Sequence, residues 1–554
     1  MGSKNWQEIA TAKREAILAS IPKEYIIPDL PTPEQQRDVT GTFVHKYLSP
    51  QEIAITETDA PGIVAKTTTG EWTAVEVTKA FIHRACIAHQ LTNCLHETAF
   101  PAALASAAAL DAHFSQTRTP LGPLHGLPVS LKDQFHVRGL ETSMGYVGWL
   151  GTFEGSPPPH PNYPISTESA FVTILRSLGA VIYVKTAVPH TLMCGETVNN
   201  IIGYTLSPTN RLLSSGGSSG GEGALIALKG SPLGLGTDIG GSIRIPAAFN
   251  GVYGLRPSTG RLPYEGMANS MAGQNSVLSV VGPLAGSVGA LQLLVKAVLS
   301  AAQPWRVDPA VVELPWRAEK HDIKKKKLTF ALLRDDGVVR VTPPVARALS
   351  VAADKLRAAG HTVVEWTPPA EASHAAIVDC CARTWTYDGG RDTIGAFALS
   401  GEPQAEHVQM PWPAPLATEA TATEIAANNV RQRRLQKAYL DYWNGTDVDV
   451  IISPVAPFPA ARPKQYKYYG YSMWVNLLDY TSVVVPVTRA SKEVDVPVGM
   501  AEFEPRSELE RETQESYDPD IYDGAPVALQ FVGRRLEEEK MLKVAEVVDA
   551  VLKG

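Results

Sequence analysis

Two segments of the chain, residues 167–184 and 345–365, share one order of amphipathic stretch, glycine and apolar run. Gly179 and Gly360 follow the amphipathic stretches, and a glycine there is typical of a helix C-terminus because it readily adopts a positive φ. The runs after them are rich in β-branched residues, as strands are. A chain that alternates helices and strands in this way favours a sheet layered by helices over a helical bundle or an all-β domain.

Further apolar runs at 328–332 and 483–487 show no polar alternation. Such runs are typical of strands buried on both faces. The sequence therefore predicts an α/β fold with a large mixed β-sheet covered by helices on both faces. We expect the 554 residues to form one large fold, in which the polar stretch 303–327 connects an N-terminal to a C-terminal part.

Composition excludes several classes of function. The chain has 57 acidic and 50 basic side chains and a net charge of −7, which disfavours binding to a nucleic-acid backbone. No run approaches the roughly 18 apolar residues of a membrane-spanning helix. The amphipathic start, residues 6–17, lacks the apolar block of a signal peptide. We therefore expect a cytoplasmic protein that binds neither nucleic acid nor membrane, with its five cysteines reduced.

The 44 glycines are densest between Gly203 and Gly260, where two clusters combine glycine with serine or threonine. The first cluster is 214–224 and the second is 234–246. Small side chains let the backbone turn sharply and bring N–H groups close to a reacting atom, as an oxyanion hole requires. We interpret both clusters as buried loops of an acyl-transfer site.

Three other interpretations of these clusters compete. The motif at 216–220 has the Gly-x-Ser-x-Gly form of a nucleophile elbow, but it lacks the apolar strand that should precede such an elbow. The stretch 234–239 begins like a dinucleotide-binding motif and has isoleucine in place of the third glycine. A flexible linker is a poor explanation because charged and aliphatic residues interrupt the glycines.

A serine nucleophile needs a base, and histidine is the usual one. No histidine stands in a distinctive catalytic context, and the chain lacks a His-Glu-x-x-His motif, so we expect no metal. The histidines considered are His125, His136, His160 and His190.

Lys132 is a second kind of candidate base. It ends the apolar run 126–132, and a buried lysine can lose its proton near neutral pH. The alternative is an ion pair with Asp133 or another acid, and the local sequence favours neither role.

The lysine motif at 126–133, the cluster 216–221 and the segment 236–246 together resemble the amidase signature family. Further motifs extend the likeness to the fungal acetamidases and general amidases of that family over nearly the whole chain, at 91–94, 141–146, 196–203, 260–264, 468–471, 477–487 and 524–528. The resemblance implies the amidase signature fold for 1–554 as a single domain. Its regions would be an N-terminal helical region at 1–120, the signature core at 121–302 and a C-terminal part at 303–554 that completes the sheet and the substrate pocket.

The resemblance also implies a Ser-Ser-Lys triad without any cofactor. Lys132 would be the base, Ser218 the bridging serine and Ser242 the acylated nucleophile. Ser219 would bond to backbone. The backbone N–H groups of Ile239, Gly240, Gly241 and Ser242 would form the oxyanion hole, and the resemblance places Leu192 and Met193 beside the pocket.

Two charged residues and three aromatic ones complete the expected site. Asp238 and Arg244 flank the nucleophile, and we expect them to brace its loop through charge-assisted hydrogen bonds. Tyr146, Trp149 and Trp474 are candidates for the walls of the pocket, although large aromatic residues are as often part of a core.

The implied activity is hydrolysis of the C–N bond of carboxylic amides, through an acyl-enzyme, to a carboxylate and ammonia or an amine. Short aliphatic amides such as acetamide are the expected substrates; the family also cleaves aryl and fatty amides, carbamates and esters. His190 stands where the family pattern has glutamine, which leaves substrate selection open.

Two alternatives remain at this point. The first is the glutaminase-like subunit of an amidotransferase, which copurifying partner subunits and glutamine-dependent transfer would indicate. The second is a non-catalytic relative, which the presence of all three triad residues disfavours. A small-molecule amide is the expected binding partner, and a homodimer is expected from the family alone.

Overall fold

The computed structural model describes residues 5–163, 165–322, 327–404, 418–497 and 503–554. Part of the predicted connection at 303–327, residues 323–326, therefore lies outside the described residues. The helices are α1 Trp6–Ala19, α2 Thr42–His45, α3 Pro50–Glu57, α4 Ala60–Thr67, α5 Ala74–Thr92, α6 Phe100–Thr117, α7 Ala170–Ser177, α8 Gly220–Ala227, α9 Arg244–Asn250, α10 Val288–Ala301, α11 Ala318–His321, α12 Pro343–Ala358, α13 His374–Trp385, α14 Arg391–Ala398, α15 Ala422–Asn444, α16 Gly470–Leu478, α17 Glu508–Glu515, α18 Pro519–Tyr522 and α19 Glu538–Lys553.

The strands alternate with these helices along most of the chain. They are β1 Leu95–Thr98, β2 Pro128–Lys132, β3 Val181–Thr186, β4 Val198–Asn199, β5 Gly203–Tyr204, β6 Leu206–Ser207, β7 Asn210–Ser214, β8 Leu233–Asp238, β9 Tyr253–Arg256, β10 Val280–Ala285, β11 Thr329–Leu332, β12 Thr362–Glu365, β13 Val450–Pro454, β14 Ser482–Arg489 and β15 Pro526–Val532.

Eleven of these strands form one sheet, in the order β1-β3-β2-β8-β10-β9-β14-β15-β13-β11-β12. Strands β3, β2 and β8 are parallel, as are β13, β11 and β12, whereas the strands between these two groups pair antiparallel. The α/β fold with a large mixed sheet is thus confirmed. Among the described residues, no helix is long and apolar enough to cross a membrane.

Both predicted helix–glycine–strand units are present. Helix α7 leads through Gly179, with φ +90°, into β3, and α12 leads through Gly360, with φ +89°, into β12. The run at 483–487 lies within β14, between β9 and β15, and its first three residues are fully buried. Neighbouring parallel strands end at the same edge of a sheet, so β2 and β8 bring Lys132 and Asp238 to one edge.

The prediction that both glycine-rich clusters are loops is wrong for parts of each. Residues 234–238 belong to the central strand β8, and Gly220 and Gly221 begin helix α8. Packing explains why glycines occur in that strand: a Cβ atom at Gly236 would lie 2.6 Å from Ser219 Oγ, and one at Gly234 would overlap the carboxyl of Glu222. The loops proper are 215–219 and 239–243, which precede α8 and α9.

Candidate active site

Lys132 is the last residue of β2 and its side chain is fully buried. Its Nζ lies 2.7 Å from Ser218 Oγ and 2.7 Å from Thr237 Oγ1. The strand β8, which pairs parallel with β2, supplies Thr237. The structure therefore brings together Lys132 and Ser218, and it adds a threonine that the sequence did not single out.

A second hydrogen bond fixes the direction of the Lys132–Thr237 contact. Thr237 Oγ1 donates to Gln134 Oε1 at 2.7 Å, and Gln134 Nε2 donates to the carbonyl of Ala268 at 2.7 Å. Because the hydroxyl of Thr237 donates its one proton to Gln134, it can only accept a hydrogen bond from the Lys132 amine. An unprotonated amine can satisfy Thr237 with one N–H and still accept a proton from Ser218 through its lone pair.

Burial sets the protonation of Lys132. It lowers the pKa of the ammonium to about 7, although Asp238 and Glu222, when ionised, act in the opposite direction. No carboxylate in the described part of the chain lies within ion-pair distance of Lys132. Asp133, the ion-pair partner considered from the sequence, instead pairs with Lys185 at 3.0 Å.

Ser218 stands in the loop between the short strand β7 and helix α8, after a cis peptide bond from Gly217. This loop packs tightly on residues 194–196: a Cβ atom at Gly217 would overlap the carbonyl oxygen of Cys194. The next residue ties the loop to the second one, since the Ser219 N–H donates to the carbonyl of Ser242 at 3.1 Å. The hydroxyl of Ser219 donates to the Thr237 carbonyl at 3.4 Å, in line with its expected bond to backbone.

Asp238 organises the loop that carries Ser242. Its carboxylate accepts the N–H groups of Gly241 at 2.9 Å and Ile243 at 3.1 Å, and it pairs with Arg244 at 3.0 Å. Burial alone would raise the pKa of Asp238, but Arg244 and Asn476 hold it well below its ordinary range. The bracing role expected for Asp238 and Arg244 matches these contacts.

Arg244 in turn anchors this loop to the C-terminal half of the chain. Its guanidinium donates to the carbonyl of Ser472 at 2.9 Å, to Gln530 Oε1 at 2.9 Å and to Asn476 Oδ1 at 2.6 Å. Ser472 and Asn476 belong to α16 and Gln530 to β15. The guanidinium is fully buried, so its position is fixed by these partners.

Three of the four N–H groups predicted for the oxyanion hole are open. Within the described residues, those of Ile239, Gly240 and Ser242 have no hydrogen-bond acceptor, whereas that of Gly241 donates to Asp238. Gly241 has φ +130°, and a Cβ atom there would lie 2.7 Å from Ile245 and Ser472. Only glycine fits this backbone.

A cavity of about 460 Å³ opens onto both serines. Predicted residues Leu192, Met193 and Ile239 line it together with Ser218 and Ser242. Apolar residues not singled out from the sequence complete much of the wall: Leu262, Met267, Met271, Leu278, Val280 and Trp385.

The aromatic residues suggested for the pocket wall do not line this cavity. Tyr146 and Trp149 pack with Phe397 in a hydrophobic cluster behind Leu192 of the cavity wall, and Trp474 stacks on Tyr439 in a buried aromatic core. His190 is fully buried and meets the ring of Phe397 edge-on at 5.0 Å. These positions therefore shape the cavity only through the residues packed around it.

The remaining histidine candidates lie apart from the two serines. His125 accepts the N–H of Leu121 at 3.1 Å, and His136 and His160 stack on the two sides of Phe153. Within the described ranges, no group of three His, Cys, Asp or Glu side chains could hold a metal ion. Within the described residues, the titratable side chain that hydrogen-bonds to Ser218 is that of Lys132.

The family model for amidases matches residues 76–542, a span that includes both glycine-rich loops and Lys132. The chain belongs to the amidase family. It is an enzyme that acts on the C–N bonds of amides. Two fungal acetamidases, from Aspergillus oryzae and Emericella nidulans, are each 45% identical to it; the alignments cover 100% of the chain and 100% of the first relative, and 99% and 98% for the second.

A solved structure extends the likeness to the whole fold of this amidase. The structure of a fatty acid amide hydrolase superposes with a TM-score of 0.92 at 34% identity, over 100% of this chain and 96% of that one. The large mixed sheet is therefore that of the amidase signature fold.

Proposed function

We propose that the enzyme hydrolyses amides through an acyl-enzyme on Ser242, with Ser218 as the bridging serine and Lys132 as the base. The contact between Lys132 Nζ and Ser218 Oγ at 2.7 Å carries this proposal, because it connects a lysine of lowered pKa to a serine on the cavity wall. Ser242, also on that wall, is then the nucleophile in reach of substrate.

The proton moves along the same three residues in both directions. Neutral Lys132 takes the proton of Ser218, Ser218 takes that of Ser242, and Ser242 Oγ forms a bond to the amide carbonyl carbon. The returning proton goes to the departing nitrogen as the C–N bond breaks. Water then hydrolyses the ester on Ser242, which releases the carboxylate and restores the serine.

The three open N–H groups of Ile239, Gly240 and Ser242 would hold the oxyanion of the tetrahedral intermediate. A well-placed donor of this kind contributes about 3–4 kcal/mol of transition-state stabilisation. The contact of Gly241 with Asp238 serves the same purpose indirectly, since it fixes the peptide units on both sides of it.

A serine-directed fluorophosphonate tests the assignment of the nucleophile. We expect mass spectrometry of the digested protein to find the adduct on Ser242, and Ser242→Ala to remove it. An adduct on Ser218 would reverse the roles of the two serines.

The acetamidase relatives support short aliphatic amides such as acetamide as substrates, and their likeness over the full chain favours a stand-alone amidase over an amidotransferase subunit. The cavity favours a second candidate, larger apolar amides. Its volume of about 460 Å³ lies within the range of pockets that bind drug-sized ligands, whereas acetamide has only four non-hydrogen atoms.

A graded series of amides distinguishes these two candidates. For acetamide, butyramide, hexanamide and benzamide, kcat/KM falls along the series if acetamide is the preferred substrate. If the apolar wall binds the acyl group, each added methylene raises kcat/KM by about threefold to fourfold, the equivalent of about 0.8 kcal/mol, until the cavity is filled. The homodimer, the cytoplasmic location and the single domain 1–554 stay predictions.

A further inference from the structure

Glu222 is a buried acid next to the proposed base that plays no part in the steps above. It lies in the first turn of α8, and its side chain is fully buried. Its carboxyl bridges two strands, with Oε2 2.5 Å from Ser130 Oγ and Oε1 2.8 Å from Thr186 Oγ1. Both partners are close to Lys132: Ser130 precedes it by two residues on the same face of β2, and Thr186 pairs with it in the sheet register.

The hydroxyl groups around this carboxyl have too few protons for a carboxylate. Ser130 lies 2.5 Å from Glu222 and 2.9 Å from Ser231 Oγ, and Ser231 donates its own proton to the carbonyl of Leu233 at 2.8 Å. Ser231 can therefore only accept a hydrogen bond from Ser130. Ser130 has a single hydroxyl proton, and this bond takes it. The short contact between Ser130 and Glu222 then needs a proton that comes from Glu222.

We propose that Glu222 is a positioning residue that acts as a neutral carboxylic acid, donating its proton to Ser130 and so leaving Lys132 without a counter-ion. The hydrogen bonds then run in one direction, from Glu222 through Ser130 and Ser231 to Leu233, while Thr186 donates to Oε1. Every group in this chain of hydrogen bonds is satisfied. The inference rests on the proposed role of Lys132 as base.

The surroundings of Glu222 support a neutral acid. Burial raises the pKa of Glu222 far above that of an exposed carboxyl, although Ser130, Thr186 and the charge of Lys132 act in the opposite direction. The other titratable groups that interact with it are Tyr183 of β3 and Cys94 before β1. Burial raises the pKa of Cys94 to about 12 and that of Tyr183 well above its ordinary value, so neither supplies a charge.

The protonation of Glu222 matters because of what a carboxylate would do to Lys132. An ionised Glu222 raises the pKa of Lys132 and so keeps the proton on the amine. Asp238 also faces Lys132, but Arg244 already neutralises its charge. Glu222 is not among the residues that line the cavity, so it acts on the reaction only through Lys132.

Infrared difference spectroscopy tests the proposal without any need for activity. Glu222→Gln reproduces a neutral acid, because its amide N–H can donate to Ser130 and its carbonyl can accept from Thr186. We expect the spectrum of the unsubstituted protein minus that of Glu222→Gln, at about pH 7, to contain the C=O stretching band of a protonated carboxylic acid. A difference that contains only carboxylate bands would overturn the proposal.

Glu196 provides a matched control. It is also fully buried, but it accepts backbone N–H groups from Lys464 at 2.7 Å and Tyr466 at 2.8 Å, one at each oxygen, and these donors cannot be reversed. Glu196→Gln should therefore give carboxylate bands in the same subtraction and should lower the unfolding temperature, because its amide N–H meets an N–H donor.

The pH profile of Glu222→Gln gives a second readout. The acid limb of kcat/KM should stay within about half a pH unit of that of the unsubstituted enzyme. A displacement of half a unit or more toward lower pH would mean that a negative charge had been removed, and it would refute the neutral acid. Failure of Glu222→Gln to fold would also refute it, since a carboxamide makes every hydrogen bond of a neutral acid. If no amide is hydrolysed at all, the infrared result still decides about Glu222, and only the proposed function is rejected.

Discussion

The Asp133 carboxylate pairs with Lys185 at 3.0 Å, and not with Lys132, its neighbour in the chain. Successive side chains of an extended backbone point to opposite sides, so two adjacent residues rarely meet. Asp133 also accepts the N–H groups of Ser143 at 3.0 Å and Met144 at 2.9 Å. Because Asp133 is paired elsewhere, the hydrogen-bond partners of Lys132 are the hydroxyl groups of Ser218 and Thr237.

Replacing Lys132 should abolish the base. We expect Lys132→Ala to lower kcat by about 10²–10⁴-fold, the usual contribution of a general base. Lys132→Arg should be similarly inactive, because a guanidinium stays protonated at any working pH. Steady-state kinetics measures both. Lys437→Ala, on the exposed face of α15, is the control, and an active Lys132→Arg enzyme would contradict the proposed role.

The activity should depend on pH through Lys132. Its pKa is lowered to about 7 and only the neutral amine accepts a proton, so kcat/KM should rise with pH below this value and level off above it. A profile measured from about pH 5 to pH 9 checks the sign and the midpoint. A rate that falls over this range as the lysine loses its proton, or one that does not change, is incompatible with a lysine base.

Asp238→Asn should destabilise the protein by about 3–5 kcal/mol, because it leaves the buried guanidinium of Arg244 without its ion-pair partner. Urea unfolding measures this loss in free energy. Asp441→Asn removes an exposed i,i+4 pair with Lys437 and should cost at most about 1 kcal/mol. Equal losses for the two variants would show that the buried pair does not brace the loop.

Gly241→Ala should cost about 1–3 kcal/mol of stability from backbone strain alone, and more from contact with Ile245 and Ser472. It should also displace the neighbouring N–H groups and lower kcat. Gly286→Ala is a suitable control, since its added Cβ meets nothing within 4 Å and its φ is ordinary. A stable and fully active Gly241→Ala variant would contradict the proposed oxyanion hole.

The sequence predicted those parts of the fold that depend on local preferences. The units at 167–184 and 345–365 carry their own helix stop and their own strand, so their outcome needed no distant partner. Strand β8 could not be predicted in this way, because glycine is a poor strand former. Its two glycines are required by Glu222 and Ser219, which approach from helix α8 and the loop before it.

The site residues likewise fall into those that local motifs predicted and those that only the tertiary structure shows. The family motifs include Lys132, Ser218 and Ser242, and the structure brings the first two into contact. Thr237 and Gln134 were missed, although they lie within two residues of Asp238 and Lys132, because only the strand pairing reveals their side chains as partners. Trp385 had no signal at all, since it reaches the cavity from α13, far away in the sequence.

The hydrogen bond from Arg244 to Gln530 also bears on the order in which the site can assemble during synthesis of the chain. Both glycine-rich loops lie in the first half of the chain, but Ser472, Asn476 and Gln530, which hold the guanidinium together with Asp238, are synthesised only after residue 470. Strands β14 and β15, which stand in the middle of the sheet, are equally late. A nascent chain therefore carries Lys132, Ser218 and Ser242 for much of its synthesis before the contacts that anchor the Ser242 loop through Arg244 can form.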